Sequence, residues 1–166
     1  VYILGNPPYL GSSMQNKNQK EDLKIVLSNI GSYKNLDYIA CWFQKASCYI
    51  INNNSSFAFV STNSICQGEQ VGLLWPYIFK QNLEIGFAYK SFKWANNAKN
   101  QAGVSVVIVG VRNKQLKDKY LFENSVMKKV VNINSYLIEA PQILVERTKK
   151  SISSLPLMIK GNQPTD

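Results

Sequence analysis

Val1-Tyr2-Ile3-Leu4-Gly5-Asn6-Pro7-Pro8-Tyr9 joins a short apolar run to an asparagine, two prolines and an aromatic ring. The apolar run reads as a strand, and the residues after it decide where the chain presents its chemistry. Two successive prolines fix φ and remove two backbone N–H donors, so the stretch offers carbonyl acceptors without competing donors. A residue before proline is pushed to extended geometry, which holds Asn6 straight off the strand end. Tyr9 adds a ring face. The competing reading is a proline-stiffened turn, because Pro-Pro pairs are common turn punctuation. Asparagine before and an aromatic after, at the start of a strand–helix alternation, favour a functional motif at a strand's carboxyl end.

Working outward, residues 11–19 are polar and turn-rich, and residues 21–30 read as a helix. Leu23, Val26, Leu27 and Ile30 share one face of it, and Gly31 is placed as its C-terminal cap. A second helix is predicted over 36–51, with Leu36, Ile39, Ala40, Phe43, Ala46 and Ile50 as the buried stripe. Asn52-Asn53-Asn54-Ser55 turns into a short strand at 57–61. Residues 62–67 form a loop at that strand's end. Residues 70–81 read as a helix, with Pro76 either in its first turn or at a kink. A strand at 84–89, a polar loop at 90–101 and a β-branched run at 104–111 follow, the last typical of a strand buried on both faces. Beyond about Leu116 the pattern weakens, and the tail 161–166 is polar. The alternation predicts an α/β sheet with mostly parallel strands. In such sheets ligands sit beyond the carboxyl ends of strands. Asn6-Pro7-Pro8-Tyr9 and Thr62-Asn63 both fall there, on strands expected to be neighbours.

With 166 residues, 45% hydrophobic and 17% charged, the chain fits one globular domain with a sizeable core. No apolar run approaches the roughly 20 residues a membrane-spanning helix needs, which argues against a membrane partner. The start lacks a signal peptide's basic leader and cleavage site and begins inside a strand, so a piece of a longer chain is expected. The chain has no histidine, which removes Ser-His-Asp and Cys-His catalysis. Cys41, Cys48 and Cys66 are odd in number and lack Cys-x-x-Cys spacing, which argues against a zinc site or a disulfide framework. They read as small apolar packers in a reduced, cytoplasmic setting. A net charge of +9 points toward a polyanion, although the lysines are spread from Lys17 to Lys160 and are compatible with a solvated basic surface.

Asn6-Pro7-Pro8-Tyr9 resembles the catalytic motif of N6-adenine methyltransferases. Further segments occur in order: Asn35-Leu36-Asp37-Tyr38-Ile39-Ala40-Cys41-Trp42-Phe43, Ser61-Thr62-Asn63-Ser64-Ile65-Cys66-Gln67-Gly68-Glu69-Gln70-Val71, Leu74-Trp75-Pro76 and Phe92-Lys93-Trp94. Together they resemble the MmeI-like branch of bifunctional type II restriction–modification enzymes, which join an adenine methyltransferase, a nuclease and a target recognition domain. The resemblance implies a partial Rossmann-like sheet using S-adenosylmethionine, without the N-terminal cofactor-binding strands. Residues 1–115 would be the C-terminal half of the catalytic domain, and 116–166 a connector toward the target recognition domain.

On that resemblance, the Asn6 amide oxygen and the Pro7 carbonyl each accept a hydrogen of adenine's amino group. Asn6, Pro7, Pro8 and Tyr9 are then the catalytic set, and double-stranded DNA is the partner. Tyr9 and Phe92 are placed as stacking platforms for the extruded base, against the alternative that Phe92 and Trp94 anchor a loop. Asn6 and Trp42 are placed beside the cofactor, with core packing as the alternative for Trp42. Asn63 either contacts substrate or closes a turn. Other readings of the tetrapeptide are an N-methyltransferase acting on RNA or protein glutamine, or a basic DNA-binding fragment without its own activity. Lacking its neighbouring strand, the edge Val1–Leu4 is expected to favour self-association.

Overall fold

Among the described residues, six strands form one sheet: β1 (Tyr2–Gly5), β2 (Ser56–Thr62), β3 (Leu83–Trp94), β4 (Val104–Asn113), β5 (Lys119–Glu123) and β6 (Val126–Val130). Their order is β1-β2-β4-β3-β5-β6. The structure is a computed structural model and describes residues 1–94 and 104–144. The expected tail at 161–166 and the loop residues 95–101 lie outside the described residues.

The sheet corrects the expectation of mostly parallel strands. β1–β2 and β3–β5 pair in parallel, whereas β2–β4, β3–β4 and β5–β6 are antiparallel. Only residues 95–103 separate β3 from β4, too few for the crossover of a dozen or more residues that parallel pairing needs. β4 therefore turns straight back and inserts between β2 and β3. There Val106, Val107, Val109 and Val111 are all buried, as its β-branched run predicts for a central strand. Residues 90–94, expected as loop, continue β3 instead. The β5–β6 hairpin, where the sequence pattern only weakens, extends the same sheet beside β3.

The helices are α1 (Lys17–Leu27), α2 (Ala40–Ile51) and α3 (Gly68–Lys80). α1 begins four residues earlier than expected, because Asn16 and Gln19 form a reciprocal capping box. It ends at Leu27 with Ser28 in right-handed geometry, so Gly31 is not its cap, and the left-handed residue nearby is Ser32. α2 starts only at Ala40, yet Leu36 and Ile39 are fully buried as predicted. Pro76 lies in the interior of α3, not its first turn, and gives no donor to the carbonyl of Gly72.

The core lies between these helices and one face of the sheet. Phe43 of α2 meets Phe57 and Phe59 of β2 and Trp75 of α3 edge-to-face at 5.6, 5.5 and 6.0 Å, which seats both helices on β2. Cys41 and Cys66 pack into this core, and burial pushes the Cys41 thiol up to about 12 and the Cys66 thiol up as well. Cys48 departs from expectation: it is exposed on α2, with Gln44 Nε2 donating to its Sγ at 3.5 Å.

Alternate strand residues point to the opposite face, which no described helix covers. Tyr2 and Leu4 of β1 are 84% and 75% exposed there. Phe87 lies across Gly110 on this face, where a Cβ would meet the Phe87 ring at 2.2 Å. At its edge a buried ion cluster ties three strands: Glu84 of β3 accepts from Arg112 of β4 at 2.8 Å and meets Lys119 of β5 at 3.0 Å.

Candidate active site

β1 and β2 run in parallel with Gly5 opposite Phe59, so Asn6-Pro7-Pro8-Tyr9 leaves the sheet beside the carboxyl end of β2. The two expected ligand-side segments are therefore brought together. Pro7 is buried, and a Cβ on Gly5 would touch both its ring and the Phe59 ring. Asn6 is exposed, and its side chain makes no hydrogen bond among the described residues. The strand end thus buries one proline as an anchor and leaves the amide free to work. Tyr9 packs half-buried against the core, while Pro8 faces solvent.

A chain of hydrogen bonds holds the loop from below. The Leu10 N–H donates to Asp37 Oδ1 at 2.9 Å, and the Leu10 carbonyl accepts from the Tyr38 N–H at 3.0 Å and from Gln15 Nε2 at 2.9 Å. Gln15 Nε2 also reaches the Leu36 carbonyl at 3.0 Å. Asp37 Oδ1 accepts a second bond from the Ile39 N–H at 3.1 Å, an Asx turn leading into α2. Gln70 of α3 then grips this segment, accepting from the Asp37 N–H at 3.0 Å and donating to the Asn35 carbonyl at 2.7 Å. Asn35 Nδ2 donates to Glu69 at 3.3 Å. The tetrapeptide, the Asn35-Leu36-Asp37 segment and the Gly68-Glu69-Gln70 segment are thereby one connected unit.

Asp37 and Gln15 are each only 5% exposed, and the buried bonds of Asp37 Oδ1 and Gln15 Nε2 fix backbone position, while Gln15 Oε1 is buried without a partner among the described residues. The sequence reading missed Asp37, Gln15 and Gln70. For Asp37 a signal exists: an Asp just before an apolar helical run marks a helix start, although the apolar period reaches back to Leu36 and hides it.

Asn63 opens a 3-10 turn, Asn63–Cys66, at the end of β2. Its Nδ2 donates to Ser91 Oγ of β3 at 2.8 Å, tying the ends of two non-adjacent strands, while its Oδ1 is buried without a partner among the described residues. Thr62 and Phe92 both sit opposite Val106, so they share one row across the sheet. Phe92 is half-buried, with its ring edge-on to Tyr89 at 5.2 Å, and Tyr89 stacks on Phe122 at 5.8 Å.

Phe92 and Asn6 are on the same edge but not in contact. β2 and β4 intervene, which puts three strand spacings, about 14 Å, between their strands. Trp42 is 43% exposed on the first turn of α2, which rules out the core-packing alternative and leaves a ring face within two turns of Asp37. Among the described residues no cluster of three or more His, Cys, Asp or Glu is arranged to hold a metal, and no helix is long and apolar enough to cross a membrane.

Residues 1–123 match the family described as MmeI, DNA-methyltransferase domain. The DNA methyltransferase A of Bacillus subtilis (strain 168) is 51% identical over 167 residues, covering 100% of this chain and 19% of that protein. A solved structure of the Type IIL restriction-modification enzyme MmeI in complex with DNA superposes with a TM-score of 0.88 at 41% identity, covering 93% of this chain and 22% of the MmeI chain. The chain thus spans about a fifth of the length of each. Matched over residues 1–123, it belongs to the MmeI DNA-methyltransferase domain family.

Proposed function

We propose that this chain is the catalytic half of a DNA adenine-N6 methyltransferase within a restriction–modification enzyme, acting on an adenine extruded from double-stranded DNA. The observation that carries the reading is the exposed Asn6 amide at the carboxyl end of β1, on a loop pinned at Leu10 by buried Asp37 and Gln15. An acceptor on a backbone fixed on either side, by buried Pro7 and by Leu10, strengthens its bond as an amine nitrogen becomes tetrahedral, which lowers the barrier without tightening the ground state. The Asn6 oxygen and the Pro7 carbonyl take one amine hydrogen each, withdrawing the nitrogen lone pair from the ring. Tyr9 and Phe92 supply ring faces, and a base reaching both lies across the ends of β2 and β4.

The side chains present suit part of an S-adenosylmethionine site: Trp42 offers an open ring face for an adenine, and Asn6 an amide beside the transferred group. When bound, S-adenosylmethionine supplies a methyl group on a sulfonium that serves as its own leaving group. Such a reaction needs no histidine, in keeping with a chain that has none. On this reading residues 1–115 form the C-terminal half of a partial Rossmann-like catalytic domain. Residues 116–166 lead toward a target recognition domain, with β5 and β6 still paired into the sheet. The remaining domains of the longer polypeptide complete the enzyme in the cytoplasm.

The test is Asn6→Ala in the full-length enzyme. Methylation should fall by about two orders of magnitude or more, the cost of removing an oxyanion-hole donor, with kcat rather than KM affected and cofactor affinity nearly unchanged. Near-normal turnover would remove Asn6 from the mechanism.

A further inference from the structure

Just past the candidate active-site loop the chain builds a second surface. Ser12, Ser13, Lys17, Lys20, Lys24 and Lys34 line an open cleft of about 800 Å³. Lys17, Lys20 and Lys24 follow a three-then-four spacing and share one side of α1, while Lys34 faces them from the 3-10 turn Tyr33–Asn35. The single acid among the described lining residues is Glu21, paired with Lys24 at 3.6 Å. Four lysines against one glutamate leave the cleft three charges positive.

Four lysines elsewhere, Lys90, Lys119, Lys128 and Lys129, pair with Glu123, Glu84, Glu139 and Asp118. Lys45, Lys93, Lys114 and Lys117 also have no ion pair among the described residues, so it is the clustering in one cleft that sets Lys17, Lys20 and Lys34 apart. Lys17, Lys20 and Lys34 have no ion pair among the described residues. Like charges held together without counter-charges repel one another, so an unneutralised basic cleft is set up for an external anion.

Its position identifies the anion. Gln15, on the cleft wall, is the residue that bonds the Leu10 carbonyl and so also closes the active-site loop. Ser12 is three residues beyond Tyr9, a reach of about 10 Å at most. That corresponds to roughly three nucleotides at 3.4 Å per nucleotide along one strand. We propose that this cleft seats the phosphate backbone of the DNA strand flanking the target base, an inference that rests on the methyltransferase reading above. The lysines neutralise consecutive phosphates, and the Ser12 and Ser13 hydroxyls add neutral donors. Such contacts fix register on the duplex and carry no base specificity.

The experiment compares the full-length enzyme with its Lys17→Gln/Lys20→Gln/Lys34→Gln variant, measuring binding to cognate and non-cognate duplexes across a salt series and methyl transfer at saturating DNA. Each lost phosphate contact removes about 0.9 from the slope of log K against log salt, so the slope should flatten by about 2 to 3. Affinity at physiological salt should fall on the order of tenfold to a hundredfold, alike on both duplexes, with kcat at saturation preserved. The matching Lys→Arg triple should restore slope and affinity, which separates lost charge from a misfolded loop. An unchanged slope in an enzyme that still methylates DNA overturns the cleft assignment and leaves the methyltransferase reading standing. Wild-type enzyme that binds duplex with a slope sensitive to the triple substitution, yet transfers no methyl group to adenine, supports the cleft and defeats the activity. A slope sensitive to the substitution on RNA but not on DNA overturns the choice of partner.

Discussion

Asp37 serves two backbone groups with one carboxylate oxygen, bonding Leu10 at the exit of the active-site loop and Ile39 at the entrance to α2. Removing it strands two donors in a region that is nearly dry, and each unsatisfied donor costs about 1–3 kcal/mol. Asp37→Ala should therefore lower the stability of the domain by at least one such penalty. It should also raise amide exchange at Leu10, whereas Asp37→Asn, which keeps an acceptor, should recover most of both. Stability from denaturant melts, together with exchange at that amide, decides the matter, and unchanged protection at Leu10 in Asp37→Ala would dissociate the loop from Asp37. At the opposite end of the same edge, Phe92→Ala in the full-length enzyme should weaken binding of normal duplex by about 1–3 kcal/mol, the scale of one stacking contact. The defect should shrink on a mismatched target that opens more cheaply. Fluorescence of 2-aminopurine at the target position reads the extrusion directly. Full extrusion by Phe92→Ala, with its loss in Trp94→Ala, would transfer the platform to Trp94.

Between elements, two polar ties make contrasting demands. Glu84 is nearly buried and neutralises Arg112 and Lys119 from strands on either side of β3. Glu84→Gln leaves two cations partly desolvated without their anion, and breaking a buried pair costs about 3–5 kcal/mol. Equilibrium urea unfolding should show that loss, and a cost under about 1 kcal/mol would mean the cluster is solvated in solution. The second tie joins α1 to the segment before α2, where the Tyr38 hydroxyl donates to Asp22 Oδ2 at 2.7 Å. That bond, reinforced by burial and the Asp22 charge, pushes Tyr38 from 10 up to about 12. The folded state holds this proton more tightly than the unfolded state. Its contribution is fully present below pH 10 and is lost as pH rises from 10 through about 12. Stability of the unmodified chain should fall more steeply over that window than that of Tyr38→Phe, and parallel profiles would show that the bond has no thermodynamic weight.

At the scale of the whole molecule, the described helices cover one sheet face, and among the described residues β1 ends the sheet with Tyr2 and Leu4 open to water. An unpaired edge flanked by exposed apolar side chains is a template for another chain. The isolated 166-residue chain should self-associate and bind S-adenosylmethionine weakly, and Leu4→Lys should reduce the association by placing a charge on the edge. Sedimentation velocity over a concentration series measures the first, and calorimetry the second. A monomer at high concentration, or a tight one-to-one cofactor complex, would show that the chain is self-sufficient.

Sequence alone was enough for the local pieces. Ala40, Phe43, Ala46 and Ile50 are buried as the period of α2 demands, Leu36 and Ile39 are buried ahead of the helix, and the β-branched run of β4 lies at the centre of the sheet. The motif leaves a strand at its carboxyl end, because two prolines permit little else there. These features follow from side-chain period and proline sterics within a few residues, so neighbours in sequence suffice to decide them. Tertiary structure alone decided that β4 inserts antiparallel between β2 and β3, that β5 and β6 continue the sheet, and that Cys48 faces solvent. It alone decided that Gln70, Asp37 and Leu10 form one chain of hydrogen bonds across three separated segments. Strand order and such bonds depend on which edges and polar groups are still unpaired once distant segments meet, and no local preference in the sequence records that.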